Sequence, residues 1–240
     1  GRAQIGSDPR GMAIDTDAER IYVANSWTND VSVLDGRSLR VIIHIPTGLR
    51  PLAVAVSKQH QVYVANTGSE NVTIIDGPTL RIPGVVALSL LPLARAVHPD
   101  TGRLYVACAS TNSVFVVDGT RVEAEIPVGQ HPGDIALSED GTRLFVLNHV
   151  SGDLSIVSTS DHTVVKTVPV GELPQGLAIA PRNGKLYASN AILDEETGSV
   201  LERIELLGCI RLTVQPVQIR VDSASGRAYV VASNGVPGSN

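Results

Sequence analysis

Two histidines, His131 and His149, are the residues best suited to chemistry near neutral pH, where imidazole exchanges a proton or takes a metal ion. Asp134 lies three residues beyond His131, and a carboxylate beside an imidazole is a common setting for a general base. The spacing stops there: the chain has no HxH, HExxH or CxxC, no GxSxG elbow, no phosphate loop and no dinucleotide fingerprint. No cofactor and no metal are therefore expected. A second cluster, Asp194-Glu195-Glu196, is a candidate contact for a cation or a basic partner, but it lacks the alternating ligands and mid-loop glycine of a calcium loop. Cys108 and Cys209 read as buried free thiols.

The elements that must hold these side chains follow from an internal repeat. An aromatic between apolar residues recurs at Tyr22, Tyr63, Tyr105, Phe145, Tyr187 and Tyr229, and a proline precedes each at Pro9, Pro51, Pro92, Pro132, Pro174 and Pro216. Both series advance by about 41 residues, a period typical of four-stranded units in tandem. Asn follows the aromatic by three positions at Asn25, Asn66, Asn148 and Asn190, and an apolar run ends in Asp35, Asp76 and Asp118, with Ser158 in the next copy. Each unit reads as four short strands. The first follows the proline and carries a small residue (Ala13, Ala55, Ala96, Ala136, Ala178), which suits a crowded inner position. The fourth holds a proline in "HIPTG", "EIPVG" or "TVPVG", which fits an edge strand because proline gives no ladder donor.

Such units specify an all-β chain with the architecture of a β-propeller. The expectation is six blades of about 41 residues in one domain spanning 1–240, the last blade incomplete and latched by the N-terminal strand. A fragment of a seven-bladed propeller is the alternative. By this register the acidic cluster falls in an enlarged loop between the second and third strands of the fifth unit, on the ligand-binding face. His131, just before a marker proline, and His149, just after a marker Asn, fall at the same end. His44, His60, His98 and His162 fall in an outer strand or in turns.

The wording of the repeat resembles the YVTN β-propeller family, through "YVAN" at 22–25 and 63–66, the "VxVxD" third strand and "IPVG" at 126–129. The resemblance covers the whole chain and implies a propeller, with functions ranging from surface-layer and periplasmic binding proteins to lyases, lactonases and dehydrogenases. It also implies export to the periplasm or cell surface.

Composition narrows the partners. The chain has 240 residues, 19 Lys+Arg against 24 Asp+Glu and a net charge of −5, so there is no basic excess for nucleic acid. No apolar run reaches the roughly 20 residues that cross a bilayer as a helix. The expected function is a non-catalytic, monomeric scaffold that binds a protein, peptide or glycan through its loop-bearing face. Arg10, Trp27, Arg50, His131, His149 and Glu172 are the binding candidates. Trp27, the sole tryptophan, reads either as a contact anchor or as a cover for a sheet edge. The alternative function is a lyase or hydrolase, lactonase-like and possibly metal-assisted, using His131, His149 and Asp134.

Overall fold

The marker prolines sit where a missing N–H costs nothing, at the openings of strands, and the computed structural model shows this in four consecutive repeats. It describes residues 3–88, 92–174, 176–180, 185–188, 191–203, 215–221 and 228–233. Every assigned element among them is a strand.

The first sheet is β1 (Pro9–Asp15), β2 (Arg20–Asn25), β3 (Asp30–Asp35) and β4 (Val41–Pro46), antiparallel and in sequence order. The second repeats it with β5 (Pro51–Val56), β6 (Gln61–Asn66), β7 (Asn71–Asp76) and β8 (Arg81–Ala87). The third uses β9 (Pro92–Val97), β10 (Leu104–Cys108), β11 (Ser113–Asp118) and β12 (Arg121–Pro127), and the fourth β13 (Pro132–Leu137), β14 (Arg143–Asn148), β15 (Asp153–Ser158) and β16 (Thr163–Pro169). The fifth is β17 (Leu177–Ala180), β18 (Lys185–Ala188), β19 (Ala191–Asp194) and β20 (Val200–Arg203). Two further strands, β21 (Gln215–Val221) and β22 (Ala228–Ser233), pair with each other. Residues 3–6 form no strand, so the latch expected from the N-terminus is not among the described elements. Residue contacts divide the chain into two units, Gly1–Glu125 and Ile126–Asn240.

Register explains the sequence markers. The small first-strand residue lies directly opposite the aromatic in the first five copies, Ala13 facing Tyr22, Ala55 Tyr63, Ala96 Tyr105, Ala136 Phe145 and Ala178 Tyr187, while Arg220 takes the place opposite Tyr229 in the sixth. Alanine there leaves room for a ring that is almost wholly buried, as at Tyr22, Tyr63, Tyr105 and Phe145. In the first unit Tyr22, Ala24, Val31, Val33 and Ile45 pack onto Val54, Val62, Val64 and Ile75 of the next sheet. The second unit has its own core around Phe145, Leu147, Leu154, Leu186 and Leu193. Fourth strands carry one buried residue (Ile45, Val86, Ile126, Val168) on an otherwise mostly exposed run, which fits their place at the sheet edge.

The marker Asn is a clamp. Asn25 Nδ2 donates to Asp30 and to Ser32 Oγ, Asn66 Nδ2 to Asn71 Oδ1 and Thr73 Oγ1, and Asn148 Nδ2 to Asp153 and Ser155 Oγ. Each thereby pins the second strand to the third at the turn end. A glycine that ends or follows a fourth strand presses onto each clamp: a Cβ at Gly48 would stand 2.8 Å from Asn66 Cγ, and one at Gly129 2.6 Å from Asn148 Nδ2. This is why the "IPxG" ending recurs.

Each turn of the first four sheets whose residues are described also contains a residue with left-handed backbone. Before the marker proline these are Asp8, Arg50, His131 and Leu173; between second and third strands Asn29, Glu70, Asn112 and Gly152; between first and second Glu19, His60, Gly102 and Gly141; and between third and fourth Leu39, Leu80, Gly119, His162 and Gly198. A side chain at such a position costs about 1–2 kcal/mol relative to glycine. Glu70→Gly, with φ of 53° in the native chain, should therefore raise stability by about 1 kcal/mol, read as a higher melting temperature.

Candidate functional site

The turns between second and third strands and the segments entering first strands lie at one end of each sheet, tied by a repeated pair of backbone bonds. In the first unit Ser26 N–H donates to Asp8 O at 2.8 Å and Trp27 N–H to Ser7 O at 3.2 Å; one sheet on, Thr67 N–H donates to Arg50 O and Gly68 N–H to Leu49 O. In the second unit His149 N–H donates to His131 O at 2.9 Å and Val150 N–H to Gln130 O at 3.0 Å. This scaffold brings most of the binding candidates forward, each within its own unit.

In the first unit Trp27 is 78% exposed and Leu49 56%, so Trp27 does not cover a sheet edge. Arg10 Nε bonds Asp8 Oδ2 at 3.0 Å, half exposed. Arg50 is exposed, and its N–H donates to Asn29 Oδ1 at 2.8 Å, which fixes it beside the Trp27 turn.

In the second unit the His131 and His149 rings lie 5.8 Å apart between centroids, tilted by 54°. His149 Nδ1 lies 3.1 Å from Pro174 O, a contact that requires a proton on Nδ1 and leaves Nε2 as the basic atom of the neutral ring. Asp134 is drawn to the backbone: Oδ1 accepts from Ile135 N–H at 3.0 Å and Oδ2 from Leu177 N–H at 3.1 Å. Its carboxylate thus aligns β13 with the next first strand. His131, His60 and His162 all occupy left-handed turn positions, where histidine is enriched several-fold for conformational reasons. Glu172 lines an open cavity of about 470 Å³ with Val150, Ser151 and Leu173. Among the described residues no group of three or more His, Cys, Asp or Glu side chains is placed to hold a metal ion.

The acidic cluster is not where the sequence register puts it. Ala191–Asp194 is itself the third strand, paired Ala188 to Ala191 and Lys185 to Asp194, so only residues 189–190 link it to β18. Glu195 and Glu196 therefore lie in the connection between third and fourth strands of the fifth sheet, not at the second-to-third turn end that His149 occupies in the fourth. The signal was in the sequence: "AILD" ends like "VSVLD", and Asp194 caps its turn through Thr197 N–H and Oγ1 as Asp35 does through Ser38. Those bonds hold the Asp194 carboxyl below its ordinary range, with the Thr197 hydroxyl the largest cause. Glu195 shifts upward, first through burial and then through Asp140 and Glu139 across a cleft of about 430 Å³. Arg143 bonds the carbonyls of Glu195 and Glu196 and so holds the turn in place.

Cys108, which replaces the clamp Asn in the third sheet, is fully buried, and burial pushes its thiol up to about 12. Cys209, Leu91 and Asn190 lie outside the described residues. No helix among the described residues is long and apolar enough to cross a membrane.

Comparison with solved structures establishes the fold as a β-propeller. Hydrazine synthase of Kuenenia stuttgartiensis superimposes with a TM-score of 0.80 at 17% identity, over 95% of this chain and 75% of that one. Virginiamycin B lyase from Staphylococcus aureus gives 0.71 at 13% identity over 89% of this chain and 74% of the lyase. In sequence, antigen Lp49 of Leptospira interrogans serogroup Icterohaemorrhagiae serovar copenhageni (strain Fiocruz L1-130) is 32% identical over 104 residues, 37% of this chain and 23% of the antigen. The matched stretch is thus under a quarter of that protein's length. No family model matches the chain.

Proposed function

We propose that this chain is a YVTN-type propeller that acts as a non-catalytic scaffold, binding a protein, peptide or glycan at the end bearing the second-to-third turns. One observation carries the reading: large apolar side chains stand exposed at the second-to-third turn ends of the sheets in each unit taken by itself, Trp27 and Leu49 in the first and Val150 and Leu173 in the second. Exposed tryptophan among apolar and arginine neighbours is the composition of contact anchors. A cell-surface or periplasmic setting agrees with the YVTN resemblance.

The lyase or hydrolase reading draws on the facing rings of His131 and His149 and on the lyase among the structural neighbours. Asp134 weakens it, because its oxygens serve backbone N–H groups. Arrays of peptides and glycans probed with the intact chain should give signals that Trp27→Ser with Leu49→Ser, or Val150→Ser with Leu173→Ser, reduces at least tenfold. Turnover of a cyclic ester that disappears in His149→Ala would overturn the scaffold reading.

A further inference from the structure

We infer that the Trp27, Leu49 and Arg50 ridge of the first unit recognises a peptide segment in which a carboxylate lies within two residues of a large apolar side chain; this rests on the binding role proposed above. Four observations converge. Trp27 and Leu49 are exposed by 78% and 56%, among the largest values for apolar side chains in the structure. Arg50 has no carboxylate within ion-pair distance among the described residues, whereas Arg10, at the opening of the first sheet, is already matched by Asp8 at 3.0 Å. A guanidinium without a carboxylate, on a residue tied through its N–H to Asn29 of the turn that displays Trp27, favours a planar anion that it can grip through two parallel hydrogen bonds.

The ridge is also held rigid. Arg50 N–H is fixed to Asn29 Oδ1 at 2.8 Å and Leu49 N–H to Ser69 Oγ at 2.9 Å, while Thr67 and Gly68 donate to the carbonyls of Arg50 and Leu49. Gly68 completes the fit: a Cβ there would stand 3.1 Å from both Arg50 Cγ and Leu49 Cβ, so its absence lets both stems lie flat against the turn. The backbone of the ridge thus has little ordering entropy left to lose on binding, a favourable condition for a short peptide. A neutral glycan would use the tryptophan face but offers the guanidinium no carboxylate, and a peptide can set a carboxylate and a large apolar side chain side by side, so the peptide is the occupant these groups favour.

The test is selection of displayed random dodecapeptides on the intact chain, followed by titration of the synthetic consensus by calorimetry for the native chain and every variant, with the emission of Trp27, the chain's sole tryptophan, read as well wherever that residue is retained. The expected consensus places Asp or Glu within two residues of Leu, Ile, Phe or Trp, blue-shifts the emission, and loses at least tenfold in affinity with Arg50→Gln and with Trp27→Phe. Both side chains are exposed, so neither variant should disturb folding. A consensus rich in Lys or Arg, binding indifferent to Arg50→Gln, or no enrichment would overturn the inference. If peptides resist both variants but are lost with Val150→Ser and Leu173→Ser, the scaffold reading stands and this assignment falls. If none of the four substitutions matters, both fall.

Discussion

Gly11→Val should cost about 3 kcal/mol and lower the melting temperature sharply, one of the two largest effects expected of a single substitution here. A Cβ at position 11 would stand 2.7 Å from Leu52 O, 2.8 Å from Ala53 Cα and 3.0 Å from Val54 N, all backbone atoms of β5. A flexible side chain could turn away, but a strand paired along its length to β6 cannot. The variant must therefore part the two first strands and loosen the packing of Tyr22 and Val33 onto Val54 and Val62. Chemical denaturation of Gly11→Ala and Gly11→Val should show a loss that grows with side-chain size. Equal stability of all three proteins would refute the close approach of β1 and β5.

The second large effect concerns the aromatic marker. Tyr63→Ala should lose about 4 kcal/mol, the usual cost of emptying a buried aromatic site. Tyr63→Phe should lose about 1 kcal/mol, since only the donation of its one hydroxyl proton, shared between Gly102 O at 2.9 Å and Gln61 Oε1 at 2.7 Å, disappears. The same burial pushes the Tyr63 hydroxyl up to about 12, and that of Tyr105 likewise. In the unfolded chain both ionise near 10. Between these values the unfolded state has released protons that the folded state retains, so stability is full below pH 10 and falls as pH rises toward 12. An alkaline unfolding profile should become shallower in Tyr63→Phe. An unchanged profile would show that this hydroxyl does not resist ionisation.

How far the sequence reveals the fold depends on whether a feature is tied to residue type. Tyr63 opposite Ala55, the Asn66 clamp and the Gly48 contact each admit few residue types, so they recur visibly and yield four strands per unit. The left-handed corners are invisible because glutamate, histidine, leucine, asparagine, arginine and glycine all occupy them. The fifth unit misleads because its two-residue link between β18 and β19 and its turn at 195–199 shift the register in opposite directions. Matching Val200 to Val31 then hides the better match of Asp194 to Asp35. At the candidate site His131 and His149 both adjoin markers of one repeat, and their rings lie 5.8 Å apart. The sequence cannot show that Asp134 serves the Leu177 N–H, because that bond joins residues 43 apart in two different sheets.

The residue before each described marker proline, whether Asp8, Arg50, His131 or Leu173, has the same left-handed backbone whatever its side chain. The main chain at this corner is thus indifferent to what it displays. An acid, a guanidinium, an imidazole and an aliphatic group are interchangeable characters in a fixed line of type, one per repeat. Exchange among side chains unbranched at Cβ, as these four are, should therefore change the chemistry displayed there without rebuilding the corner.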